Sequence, residues 1–77
     1  MNLVDRENLL FKGIWLKREF AGYFGLTKNQ TAKLCKTMKE FPTLSSKYSV
    51  YRNECLKAMN TTLKEEFENV KMAKESR

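Results

Sequence analysis

Tyr23–Lys36 reads YFGLTKNQTAKLCK, and two opposite signals lie side by side in it. Gly25 is the residue type that ends a helix in the left-handed conformation without a steric penalty. Thr27 followed by Gln30 is the pairing that opens a helix. The threonine oxygen accepts the third helical amide, and the glutamine reaches back to the threonine amide. The stretch therefore predicts one helix closing at Phe24 and a second opening at Lys28. The second runs to about Glu40, with Thr31, Leu34, Cys35 and Met38 facing inward and Lys28, Asn29, Ala32, Lys33, Lys36 and Thr37 facing outward. The Thr31 hydroxyl, where an apolar side chain is usual, is expected to bond back to the preceding turn.

Upstream, WLKREFAGYFG predicts a helix over Lys17–Phe24, with Phe20, Tyr23 and Phe24 at the spacing of one helical face. Ala21, four residues before Gly25, is small where two helices must approach, and Leu26 and Leu34 close the core between them. The arrangement over residues 17–40 is a helix-turn-helix. Downstream the period changes. In FPTLSSKYSVYR, Pro42 stops the helix, and Phe41–Leu44 and Tyr48–Arg52 read as short strands around the turn residues SSK. Residues 41–52 are thus expected to form a small β-hairpin, a minimal wing. From Asn53 to Lys74, Leu56, Met59, Leu63, Phe67 and Val70 mark the apolar stripe of a long C-terminal helix, with Glu65, Glu66 and Glu68 on its charged surface.

Residues 1–14 form an N-terminal extension with a short helix over Val4–Lys12, capped by Asn2 or Asp5 and burying Leu9, Leu10 and Phe11. The first sixteen residues and the last helix are both charge-neutral and apolar-striped, which favours packing of one on the other. The fold expected is mainly α, a single winged helix-turn-helix domain over residues 1–77. Trp15, Phe20, Tyr23, Phe24 and Phe41 are assigned to its core. A chain of 77 residues buries only about 60% of its unfolded surface, so its core is thin.

The formal charge of +6 is concentrated. Residues 1–16 and 53–77 each sum to zero, whereas residues 17–52 hold eight cations against Glu19 and Glu40. A basic block between neutral flanks points to a polyanionic partner. Cys35 and Cys55 fall at apolar helical positions and read as buried thiols in a reducing cytoplasm. With no histidine there is no zinc set, and no nucleophile motif or glycine-rich phosphate loop is present, so neither enzyme nor cofactor is expected. No signal peptide or membrane span is visible.

A helix-turn-helix lays its second helix in the major groove with the N-terminal side chains on base edges. Asn29 and Gln30 suit adenine, and Lys28 and Lys33 suit guanine or phosphate. Gln30 is also wanted by the cap, which leaves Asn29 and Lys33 as the stronger base readers. Lys36 and Lys39 are placed on phosphates, and Lys17 and Arg18 meet the backbone at the start of the first helix. Lys47, at the tip of the wing, reaches the minor groove or its backbone, with Arg52 flanking it.

WLKREFAGYFGLTKNQTAKLCK followed by KYSVYRNECLKAM, from Trp15 to Met59, resembles the small excisionases of phages and integrative elements, which share a MerR-like winged-helix domain. The resemblance implies a non-catalytic architectural protein that binds sites beside a recombination junction, bends DNA and contacts an integrase. Asn29 and Lys33 would read the major groove and Ser45–Lys47 the minor groove. The apolar C-terminal stripe would serve the integrase or another copy. A small transcriptional regulator of a mobile element needs the same surface. The competing class is a protein-interaction module that modulates a host protein without binding DNA. It gains if the basic residues do not share a face.

Overall fold

The structure, a computed structural model, describes residues 1–38 and 49–76. In chain order it holds α1 (Leu3–Leu10), β1 (Ile14–Leu16), α2 (Lys17–Phe24), α3 (Lys28–Lys36), β2 (Ser49–Tyr51), α4 (Arg52–Ala58) and α5 (Leu63–Glu75). It is mainly helical. The two short strands pair antiparallel, Trp15 opposite Val50, with Ile14 against Tyr51 and Leu16 against Ser49.

Trp15 is the centre of the core. It is fully buried, as are Phe20, Leu10 and Cys55, and its indole N–H donates to the Leu9 carbonyl at 2.7 Å. The pleat turns Ile14 outward and Trp15 inward, which places the indole between α1 and α2. Its ring lies 5.2 Å from that of Tyr23, which meets Phe24 at 4.7 Å. Leu9, Leu56, Val50 and Val70 complete the buried cluster, and Phe24, Leu26, Leu34, Cys35 and Met38 pack against it.

α1 begins where Asn2 accepts the Asp5 amide at 2.8 Å. Its expected burial holds for Leu9 and Leu10 but not for Phe11, which is 72% exposed and leans on Phe67 with ring centroids 5.0 Å apart. α1 packs along α5, where Lys74 also meets Glu7 at 2.7 Å. The N-terminal segment is therefore docked on the last helix. α2 starts without a hydroxyl cap. Instead Glu19 accepts the Leu16 amide at 2.8 Å and pairs with Lys12 at 3.0 Å. Burial pushes the Glu19 carboxyl upward, but the Leu16 amide and the Lys12 ammonium outweigh it and hold the group below its ordinary value.

Three expectations change. Strand β1 was not read from the sequence, because three residues ahead of a helix give too short a run to show a period of two. The strand expected over Tyr48–Arg52 exists as Ser49–Tyr51, and its described partner is β1. The other half of the expected hairpin, Phe41–Leu44 with its turn at Ser45–Lys47, lies outside the described residues, as does Glu40 at the expected end of the second helix. Finally, the long C-terminal helix is two helices. Asn60 takes φ 56°, and the Thr61 amide closes on the Leu56 carbonyl at 3.0 Å. Thr62 then caps α5 by accepting the Glu65 amide at 3.2 Å. This is a left-handed stop followed at once by a capped start.

Candidate nucleic-acid interface

The α2–α3 corner is built as the opening stretch predicts. Gly25 stands at φ 66° and ψ 37°, and the Leu26 amide reaches the Ala21 carbonyl at 2.9 Å. A side chain at this φ would be strained, so glycine is the residue that lets the chain reverse here. The Thr27 hydroxyl accepts the Gln30 amide at 3.1 Å, and the Gln30 side-chain oxygen accepts the Thr27 amide at 2.9 Å. The buried Thr31 donates its hydroxyl to the Thr27 carbonyl at 2.8 Å, so its polar atom is satisfied inside the corner.

With Thr31 turned inward, helical geometry fixes the rest of α3. Asn29, Lys33 and Lys36 are spaced i, i+4, i+7 and fall on one stripe opposite the core, spread over about 10 Å of helix. All three are exposed, as are Lys28 and Gln30 on the flanks and Ala32 beside the stripe. No residue of α3 is acidic. Lys17, half-buried, and Arg18, exposed, occupy the first turn of α2. The Lys17 ammonium acts on Cys35 of α3, pulling down a thiol that burial pushes up.

Among the described candidates, Arg52 stands apart from α3. Lys47 lies outside the described residues, and so does Lys39. Arg52 is employed within the fold. Its guanidinium Nη1 donates to the Leu10 carbonyl at 2.8 Å, its Nε donates to Asn53 Oδ1 at 3.1 Å, and its amide donates to the Gly13 carbonyl at 3.0 Å. A cation placed on the last carbonyls of a helix opposes their partial negative charge. Arg52 thus fastens the end of α1 to the start of α4. Its expected place flanking a groove followed from the hairpin register, in which it ended a strand.

The sequence reading placed Glu66 among surface charges, but it is buried, 6% exposed. Its carboxylate accepts from Tyr23 Oη at 2.9 Å, from the Thr61 hydroxyl at 2.8 Å and from Asn69 at 3.3 Å. The signal was present, since Glu66 stands three residues after Leu63 and four before Val70, within the apolar stripe. The Arg6 guanidinium lies over the Tyr23 ring, 4.6 Å from its centroid. Tyr23 therefore joins α1, α2 and α5 directly behind the corner that carries α3.

Burial and the Glu66 carboxylate push the Tyr23 hydroxyl up to about 12, from an ordinary 10. Burial likewise pushes the Cys55 thiol up to about 12, from 9, which makes it a poor nucleophile. The folded state keeps both protons over a range in which the unfolded chain sheds them. The stability these two groups contribute is therefore full below about pH 9 and is lost as pH rises toward 12. Thermal midpoints measured from pH 8 upward should decline over that window, with the Tyr23 phenolate appearing only as the chain unfolds. A midpoint unchanged across it would contradict the burial of both groups.

Among the described residues no helix is long and apolar enough to cross a membrane. Comparison with protein-family models, with curated proteins and with solved structures finds no match to this chain.

Proposed function

We propose that this chain is a non-catalytic duplex-DNA binding protein whose reading element is α3. The observation that carries the reading is the exposed stripe of Asn29, Lys33 and Lys36, on a helix with no acidic residue, set by a left-handed glycine turn against α2. An α-helix fits the major groove, amide side chains suit base edges, and ammonium groups suit phosphates. In this reading α2 and α3 are the helix-turn-helix of a winged domain. Lys28, Lys17 and Arg18 add backbone contacts, and Gln30 serves the cap. The role in the cell is that of an excisionase-type directionality factor or a small transcriptional regulator of a mobile element. An integrase or a neighbouring copy would meet α5.

Duplex binding measured against salt tests this. Affinity should fall steeply, with a log–log slope of about −0.9 for each phosphate neutralised. Lys36→Ala should flatten the slope by about one such contact, equally on every sequence. Salt-insensitive binding, or a slope that Lys36→Ala leaves unchanged, would refute the orientation of α3.

A second reading, a module that binds a host protein, draws on the exposed apolar side chains Val4, Phe11 and Met72, which are 62%, 72% and 65% accessible. In that case Lys36→Ala leaves partner binding intact and Phe11→Ser removes it.

A further inference from the structure

The exposed residues of α3 are not equivalent readers. Paired recognition of adenine needs one amide to accept from N6 and donate to N7 at once. The Gln30 oxygen is committed to the Thr27 amide at 2.9 Å, so Gln30 lacks the acceptor half of that pair. Asn29, one residue earlier, is exposed and has no hydrogen-bond partner among the described residues, which leaves both halves of its amide available. Three residues on, Ala32 is the one apolar side chain among the exposed residues of α3. It lies about 4.5 Å further along the axis, close to one base step of about 3.4 Å. Its shortness lets the helix approach the bases between the longer side chains of Lys28, Lys33 and Lys36. The apolar feature of the major groove is the 5-methyl group of thymine.

We propose, resting on the duplex-DNA reading above, that α3 recognises a step rich in A·T pairs. Asn29 binds adenine through N6 and N7, and the Ala32 methyl packs on the 5-methyl of a neighbouring thymine. Gln30 holds the helix start and reads no base. Ala32 thereby becomes a specificity residue, and the preferred site contains adenine and thymine within one or two steps of each other.

The test works mainly on the DNA, so it does not depend on a variant folding. Duplexes retained by the protein from a random pool are sequenced, and the preferred duplex is remade with 7-deaza-adenine or uracil at single positions. One 7-deaza-adenine position should weaken binding about tenfold, and Asn29→Ala should abolish that sensitivity. One uracil position beside it, which removes only a methyl, should weaken binding about fourfold. Gln30→Glu keeps the capping pair and should keep the selected sequence, at lower overall affinity because of its charge. A pool from which no duplex is retained overturns both this proposal and the function it rests on. Retention without sequence preference, a preference that survives Asn29→Ala, or one that moves with Gln30→Glu overturns this proposal alone. Uniform indifference to uracil removes the role of Ala32.

Discussion

Trp15→Ala abolishes the cooperative thermal transition or lowers its midpoint by at least roughly 12 °C. The indole is fully buried and meets the Leu9 carbonyl on α1 and the Tyr23 ring on α2, on a strand paired with β2. Truncating a buried aromatic of this size to alanine costs about 3–5 kcal/mol, because transfer and cavity terms add. A chain of 77 residues has roughly 4–12 kcal/mol of stability in total. The same loss shifts the midpoint of so short a domain by about 4–8 °C per kcal/mol. Trp15→Phe separates packing from the indole bond. It keeps most of the apolar body, and the Leu9 carbonyl still accepts the Lys12 amide at 3.0 Å, so no buried acceptor is orphaned. Its cost should be less than half that of the alanine variant. If circular dichroism shows Trp15→Ala melting within a few degrees of the parent, the core is not centred on this residue.

Trp15 also shows where the sequence was legible. Its burial could be read from its type, but the strand that carries it could not. Three residues of β structure leave no periodic trace, and their partner is more than thirty residues away. The α2–α3 corner was legible to the residue because its signals are local and chemically specific: a glycine in the left-handed region, then a Thr and a Gln three apart that satisfy each other's amides. The α4–α5 corner uses the same device, with Asn60 in place of Gly25, Thr61 in place of Leu26 and Thr62 in place of Thr27. The sequence reading carries one helix from Asn53 to Lys74 straight through it. Asparagine enters the left-handed region less freely than glycine, and the apolar stripe runs through the break, so periodicity masked the stop. The candidate site divides the same way. The outward stripe of α3 followed from helical spacing alone. Arg52 did not, because what it binds is set by the tertiary docking of α1.

Glu66→Ala should be the most destabilising change outside the apolar core, at about 3 kcal/mol. The carboxylate is the common acceptor for Tyr23 on α2, for Thr61 in the α4–α5 turn and for Asn69 on α5. Removing it strands the buried Tyr23 hydroxyl, which is in a residue only 4% exposed, and an orphaned buried donor costs about 1–3 kcal/mol. The Thr61 hydroxyl also loses its shorter bond, which loosens the left-handed stop at Asn60. Adding Tyr23→Phe to Glu66→Leu removes the stranded hydroxyl together with its acceptor, so the double variant should be more stable than Glu66→Leu alone. Chemical denaturation of the two single variants and the double gives the coupling directly, and a coupling near zero would mean that the hydroxyl and the carboxylate do not depend on each other. Because Tyr23 lies in α2, two residues before the glycine turn, the same variants also bear on α3. If the proposed function holds, a Glu66→Gln protein that stays folded should keep the salt slope of duplex binding, since the exposed cations of α3 are untouched. It should also melt earlier, since an amide cannot accept from three donors at once as the carboxylate does.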